Sequence, residues 1–491
     1  MSPRVSVLPG GLRVCVESVP HYGRGLAAVA LTVAAGGDDD PAGRHGTAHL
    51  VEHLMFPRSG GGSADPDGEG YAALVAGAGG VCNAETHRDH TVFHTTVPAE
   101  SLPDALAWEA RRLLGFAPTE DVIRTETDVI GEEIRGAGDA GRYWESALGA
   151  LYPGSRDSFG TAAELAGITA GEVEAFFRAH YTAPRMVLSV VGDVDPAGVM
   201  GVVREVFRGV GMPGAAGEVR TAEATRAVRE TGAATEIRAA EEIRAATEIR
   251  AARETRAAGE VRNAKATRVA RAIRTAEQTH TVTEPRTATE IRTAPLPAAR
   301  PGVAVGHPLP DPVADRPAYL AQAVLAQVLG RSRLPALARS ARDGHRLTSA
   351  TVTCGYHGQW LASAAPDLTL AVLGRAPGTD VGAAVGIWRS VLRAVAEGPL
   401  PEAEHRRAVN SLLVAWHRQA DSLPTRAVAL GRDALLLPGS AGPGALPAEL
   451  RRTTPAEVAA AARALLEGPV TVTELAPQAD TELAPQKGTV G

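Results

Sequence analysis

The chain runs to 491 residues, 44% of them apolar, with a formal net charge of −6. That length holds two or three domains, and the composition excludes collagen-like and disulfide-scaffold classes. The charge is too weak to suggest nucleic acid or an anionic membrane as the main partner, so neither is expected, and no apolar run reaches the ~18 residues of a membrane span.

The N-terminus, MSPRVSVLPGGLRV, lacks the long apolar region of a secretory signal, so a soluble cytoplasmic protein is the expectation. Cys15, Cys82 and Cys354 are odd in number and far apart, which argues against a disulfide framework or a cysteine zinc site. The first informative stretch is His49-Leu50-Val51-Glu52-His53. On a helix its imidazoles at i and i+4 share one face, the separation that holds one metal ion through two nitrogens. Glu52 lies beside them, placed to handle the proton of a bound water. Leu50, Val51, Leu54, Met55 and Phe56 are apolar, so this helix is expected to be largely buried. Burying two imidazoles and a carboxylate unpaired is costly; a metal removes that cost, as would hydrogen-bonded core histidines. His87, His90 and His94 lack a nearby acidic ligand set and read as surface or substrate-groove histidines rather than a second metal site. Residues 118–136 read as a helix with Val122, Glu126, Val129 and Glu133 on one face. Two carboxylates on a partly apolar face either meet something positive or belong to a solvated charged face, as Glu120, Asp121 and Glu132 are expected to do. Thr169 to Val173 opens a helix with capping-box spacing, and Met186 to Val191 follows as an apolar strand.

From Val219 the chain divides into 13 hexads ending at Leu296, with arginine second in 11 of them and no aromatic residue. The hexads carry a local charge of +4. On a helix a six-residue period steps its arginines around several faces, so no single apolar stripe forms. The segment reads as a solvated, partly helical spacer without its own core. Beyond it, a helix is expected over 401–420, a second capping box at Thr454 and Glu457, and a strand at Val470 to Val472. Helix, capped helix and strand thus occur twice in the same order, the pattern of a duplicated α+β unit. TELAPQ occurs at 473–478 and 481–486, and the tail past 478 is expected to be disordered.

HLVEH, followed about 80 residues later by Glu126 and Glu133 in a Glu-x6-Glu pair, resembles the inverted-motif zinc peptidases of the insulinase/pitrilysin/mitochondrial processing peptidase family. LPGGLRVCVESVP is similar to that family's opening strand pair, AAGGDDDPAGRHGTAHLVEHLMF to its approach to the motif, and Asn83-Ala84-Glu85-Thr86 to its edge-strand segment. VLSVVGDVDP resembles the strand that ends its first domain. The likeness covers nearly all of 5–200 and, more weakly, 310–478. It implies an α+β fold of two duplicated domains, each a mainly antiparallel sheet packed with helices, forming a clam-shell joined by the repetitive charged linker. The divisions expected are 1–215 with the zinc site, 216–299 the linker, 300–478 a peptidase-like domain without metal ligands, and 479–491 the tail. It further implies that His49, His53 and Glu133 bind one Zn2+ per chain, cobalt or manganese being alternative occupants of such a set. Glu52 would be the general base, Glu126 would orient a histidine ligand, and Asn83 and Ala84 would pair with an extended peptide substrate.

The second half departs from the family pattern of an arginine and, seven residues on, a tyrosine that hold the substrate. Arg339 falls at the arginine position, but Arg346 stands where tyrosine belongs, and Tyr356 is out of register. The resemblance therefore implies a zinc endopeptidase of extended peptides or leader sequences, as the zinc subunit of a heterodimer whose partner supplies the Arg/Tyr pair, or otherwise a homodimer. The other class of reading is a non-catalytic scaffold that recruits partners through the hexads.

Overall fold

A computed structural model describes residues 3–56, 70–136, 139–155, 157–210, 290–339, 346–437, 439–440 and 442–477. Hexad residues 219–289 and the tail 479–491 lie outside the described residues. The chain divides into two compact units. One comprises Met1–Arg135, Asp157–Val282 and Trp416–Leu446, the other Gly136–Arg156, Thr283–Ala415 and Pro447–Gly491.

The sheet of the first unit is built from β1 (Arg4–Val7), β2 (Arg13–Ser18), β3 (Leu26–Val33), β4 (Val81–Thr86), β5 (Thr91–Pro98) and β6 (Met186–Gly192). Its spatial order is β1-β2-β6-β3-β5-β4, antiparallel throughout except for the parallel pair β2 and β6. The central strand β6, MVLSVVG, is buried at every position. That burial explains why its run is apolar but for Ser189, because a strand covered on both faces has no solvent side to alternate with. One face carries the main core, where Leu50, Val51, Leu54, Leu106, Ile130, Val173 and Phe176 meet Val29, Leu31, Leu188 and Val190.

The opposite face is covered by helix Leu423–Leu436, drawn from the far end of the chain. Its Leu423, Ala427 and Leu430 pack with Cys15, Ala28, Ala30, Val92, Val187 and Val191. Gly431 allows the close seat: a Cβ there would stand 2.6 Å from Thr32 Oγ1 and 2.8 Å from Ser189 Oγ.

The second unit holds β7 (Ile291–Arg292), β8 (Leu296–Ala298), β9 (Gly302–Pro308), β10 (Leu347–Cys354), β11 (Leu368–Arg375) and β12 (Thr471–Pro477). Its order is β10-β11-β9-β12-β7, with β8 also pairing with β12. Here the exchange runs the other way. Helix Asp139–Leu151 packs Trp144, Ala147, Leu148 and Leu151 against Ala304, Leu368, Leu370 and Leu475. Gly306 of β9 makes the room, since a Cβ there would come within 2.8 Å of Ala147 Cβ. Each unit is therefore completed by one helix from the other half of the sequence. The last hexad differs from a spacer: Ile291 and Arg292 pair in parallel with Thr471 and Val472, and Ile291 and Leu296 pack against the buried cluster.

The sequence-based elements sit where expected. Helices span Glu120–Gly136 and Glu402–Ala420, and both capping boxes close, with Thr169 N donating to Glu172 at 2.9 Å and Thr454 N to Glu457 at 2.7 Å. Two mainly antiparallel sheets packed with helices make the α+β fold. Among the described residues no helix is long and apolar enough to cross a membrane.

Candidate metal centre

The HLVEH motif lies in the eight-residue helix Thr47–Leu54. Helical spacing separates its side chains into two seams: Leu50, Val51 and Leu54 enter the core, while His49, Glu52 and His53 turn the other way. Each of those three leucine and valine side chains removes apolar area worth roughly 1.5–3 kcal/mol, which anchors the helix and with it the direction of the histidines. The two imidazole rings stand 4.8 Å apart, nearly perpendicular at 80°.

Helix Glu120–Gly136 brings the acids. Glu133 Oε2 lies 3.6 Å from His49 Nε2 and 3.5 Å from His53 Nε2. One ligand atom from each of His49, His53 and Glu133 falls within 4.8 Å of the other two, the one such group among the described residues. A tetrahedral ion with bonds of ~2.0–2.1 Å sets its ligand atoms about 3.4 Å apart, so these residues fit a zinc-sized ion with little movement. Glu126 is only 1% exposed, and His53 Nδ1 is 3.2 Å from its Oε2. A carboxylate on that nitrogen fixes the tautomer that leaves Nε2 free for a metal. The remaining acids of the helix form its wet face, as expected: Asp121 pairs with Arg124 and Glu132 with Arg135, both largely exposed, while Glu120 accepts from Ala170 N at 2.9 Å.

The electrostatics differ residue by residue. Burial, reinforced by the neighbouring His53, pushes His49 down to about 3, so its ring is neutral and able to donate a lone pair. His53 is also disfavoured as a cation by burial, but the Glu126 hydrogen bond and the charges of Glu52 and Glu133 raise it above the usual histidine value. Glu52 keeps some accessible surface, yet its carboxyl sits deep enough that burial pushes it up to about 7 against the lowering effects of Thr86 and His53. Thr86 Oγ1 donates to Glu52 Oε2 at 2.5 Å.

That bond links the acid to strand β4, which carries Asn83 and Ala84. Among the described residues β4 pairs only with β5, Asn83 opposite His94 and Ala84 opposite Phe93, so its outer edge carries no described strand. Along it Val81, Asn83 and Glu85 are exposed, while Ala84 packs against the main core. Thr86 was not singled out from sequence, although it ends the quoted Asn-Ala-x-Thr segment; only the fold shows that it reaches Glu52.

In the second histidine group His87 and His90 depart from the sequence expectation, whereas His94 is half-buried on β5 opposite Asn83. His87 and His90 are 3% and 0% exposed, stacked at 4.4 Å and 5°, so they are core rather than surface or groove residues. Their hydrogen bonds run to Glu85 and Asp89. Arg339 closes helix Leu334–Arg339, and its side chain lies outside the described residues. Arg346 is exposed, and Tyr356 is buried against Trp144 in the core of the second unit.

Residues 18–137 match the model of the family described as "Insulinase (Peptidase family M16)", and 167–246 that of the "Peptidase M16 inactive domain". An uncharacterized zinc protease of Mycobacterium tuberculosis is 32% identical over 212 residues, covering 42% of this chain and 47% of the relative. A probable mitochondrial-processing peptidase subunit beta of Arabidopsis thaliana is 30% identical over 214 residues, covering 42% and 38%. The chain thus spans less than half the length of these relatives. The crystal structure of a protease from Helicobacter pylori superposes with a TM-score of 0.71 at 16% identity, over 97% of this chain and 99% of that one, which shows a shared fold.

Proposed function

We propose that this chain, a member of the insulinase (M16) peptidase family, is a zinc-dependent endopeptidase that hydrolyses extended peptides. The observation that carries this reading is the convergence of His49 Nε2, His53 Nε2 and Glu133 Oε2 beside Glu52. In the proposal His49, His53 and Glu133 are the zinc ligands, and Glu126 orients His53. Zinc held there supplies Lewis acidity toward water and toward the scissile carbonyl.

The remaining steps belong to side chains. Glu52 takes the proton of the attacking water and returns it to the leaving amine as the carbonyl–nitrogen bond breaks. Burial pushes this carboxyl up in the metal-free site, and the charge of a zinc ion beside it would favour the ionised form that a base requires. Thr86 holds one carboxylate oxygen and leaves the other for the reacting water. The outer edge of β4 at Asn83 and Ala84 offers backbone groups for an added substrate strand, and Arg339 is the candidate for a substrate contact from the second half.

We read 1–215 as the segment carrying the metal site and 300–478 as its non-ligating counterpart. Because Arg346 stands where a substrate-holding tyrosine is expected, the proposal makes this chain the zinc subunit of a heterodimer. The experiment is cleavage of a mixed unstructured-peptide library by the purified chain, alone and with candidate family subunits, before and after chelation. Cleavage that disappears on chelation and returns with one equivalent of zinc supports the proposal. Zinc binding without cleavage under any pairing would leave the scaffold reading in its place.

A further inference from the structure

His45 stands one turn before His49 and takes no part in the cluster, yet its side chain is only 7% exposed and lies between two carboxylates. Nδ1 is 3.0 Å from Asp40 Oδ2, and Nε2 is 2.8 Å from Asp157 Oδ1. A neutral ring has one N–H and could serve only one of these acceptors, so both nitrogens donate and His45 is an imidazolium. Burial opposes that charge, but the hydrogen bonds to Asp157 and Asp40 outweigh it and hold the ring at about 9.

Both carboxylates have further work. Asp40 accepts from Gly46 N at 2.7 Å and Ala48 N at 2.8 Å, capping a helix whose own N-cap glycine has no side chain to offer. Asp157 Oδ1 accepts from Phe159 N at 2.9 Å and Gly160 N at 3.2 Å. One ring therefore ties the start of the HLVEH helix to the 157–160 turn. Two left-handed glycines let them touch: a Cβ on Gly160 would fall 2.6 Å from Gly46 Cα, and one on Gly46 3.0 Å from Phe159 O.

The turn delivers Phe159 to the metal ligand. Its ring meets His49 edge-on, centroids 5.5 Å apart at 88°. His49 Nδ1 is buried without a well-formed hydrogen bond, and the Phe159 backbone stands close enough to act on its proton. His53 has Glu126 to orient it; His49 has this turn instead.

We infer that His45 is a positioning residue for the metal centre: by fastening the 157–160 turn to the helix start, it fixes the orientation of the His49 ring. This rests on the reading of His49, His53 and Glu133 as zinc ligands. The test is the zinc affinity of the full chain, by competition with a chromophoric chelator, for wild type, His45→Gln, Asp157→Asn and the double variant. Melting of each zinc-free protein is followed in parallel. Both single variants should bind zinc roughly 10- to 100-fold more weakly, and the double variant should lose no more than either alone. Unchanged zinc affinity in the folded variants overturns the inference even if melting temperature falls, because the clamp then serves stability only. Should one single variant fail to fold, the other decides. A wild type that binds no zinc overturns the metal reading and this inference together, whereas wild-type binding matched by the variants overturns this inference alone.

Discussion

Single residues decide whether the cluster is a metal site or a packed histidine pair. Glu126 is a buried carboxylate whose described partner is His53 Nδ1, and a neutral amide in its place could leave that ring in the wrong tautomer. Glu126→Gln should weaken zinc binding by roughly 10- to 100-fold, read by chelator competition; unchanged affinity would remove the orienting role. His45 yields a pH prediction. Its folded value of about 9 lies above the ordinary 6.5, so its contribution to stability is fully present below about 6.5 and lost as pH rises through about 9. Between about pH 6 and pH 9.5 the zinc-free wild type should therefore lose more melting temperature than His45→Gln. Equal losses would contradict this. The HLVEH spacing and the Glu126/Glu133 face were legible because helical periodicity fixes which side chains share a face. Thr86, His45 and Asp157 were not, because nothing local announces a contact between residues 34 or 112 positions apart.

Elements were legible where their signals are local. The reciprocal bonds of Thr169 with Glu172 and Thr454 with Glu457 are written into four-residue windows, and the buried run of β6 into seven. The exchange of helices Asp139–Leu151 and Leu423–Leu436 is a long-range packing choice with no periodic signature, and the short strand Ile291–Arg292 was hidden inside a repeat. Gly431 makes that packing testable. In an exposed helix Gly→Ala gains up to ~1 kcal/mol from propensity. Here the added Cβ would meet Thr32 Oγ1 at 2.6 Å on a buried sheet face, and overpacking of that kind costs about 1–3 kcal/mol. Gly431→Ala should therefore destabilise the chain in urea unfolding; a stabilised variant would show that the helix seats more loosely than described.

Across the whole molecule, the residues that define the metal centre all come from the first 135 positions, while the first twelve hexads, 219–290, fall between the last strand of the first sheet and the first of the second, which the final hexad supplies. Deleting 219–289, which spares Ile291 and the strand it forms, should leave zinc binding and peptide cleavage by the chain intact if the repeat is a spacer. Loss of cleavage with zinc retained would make the repeat part of the working enzyme. The central claim is that Glu52 works as a proton-transferring base beside a zinc ion held by His49, His53 and Glu133. The most direct measurement is peptide-library cleavage, alone and with the candidate partner subunits, with bound zinc counted in the same samples, for wild type and Glu52→Gln. The account predicts one zinc per chain in both proteins and cleavage with the wild type but not with Glu52→Gln. Equal cleavage by the two proteins, or zinc absent from both, would contradict it.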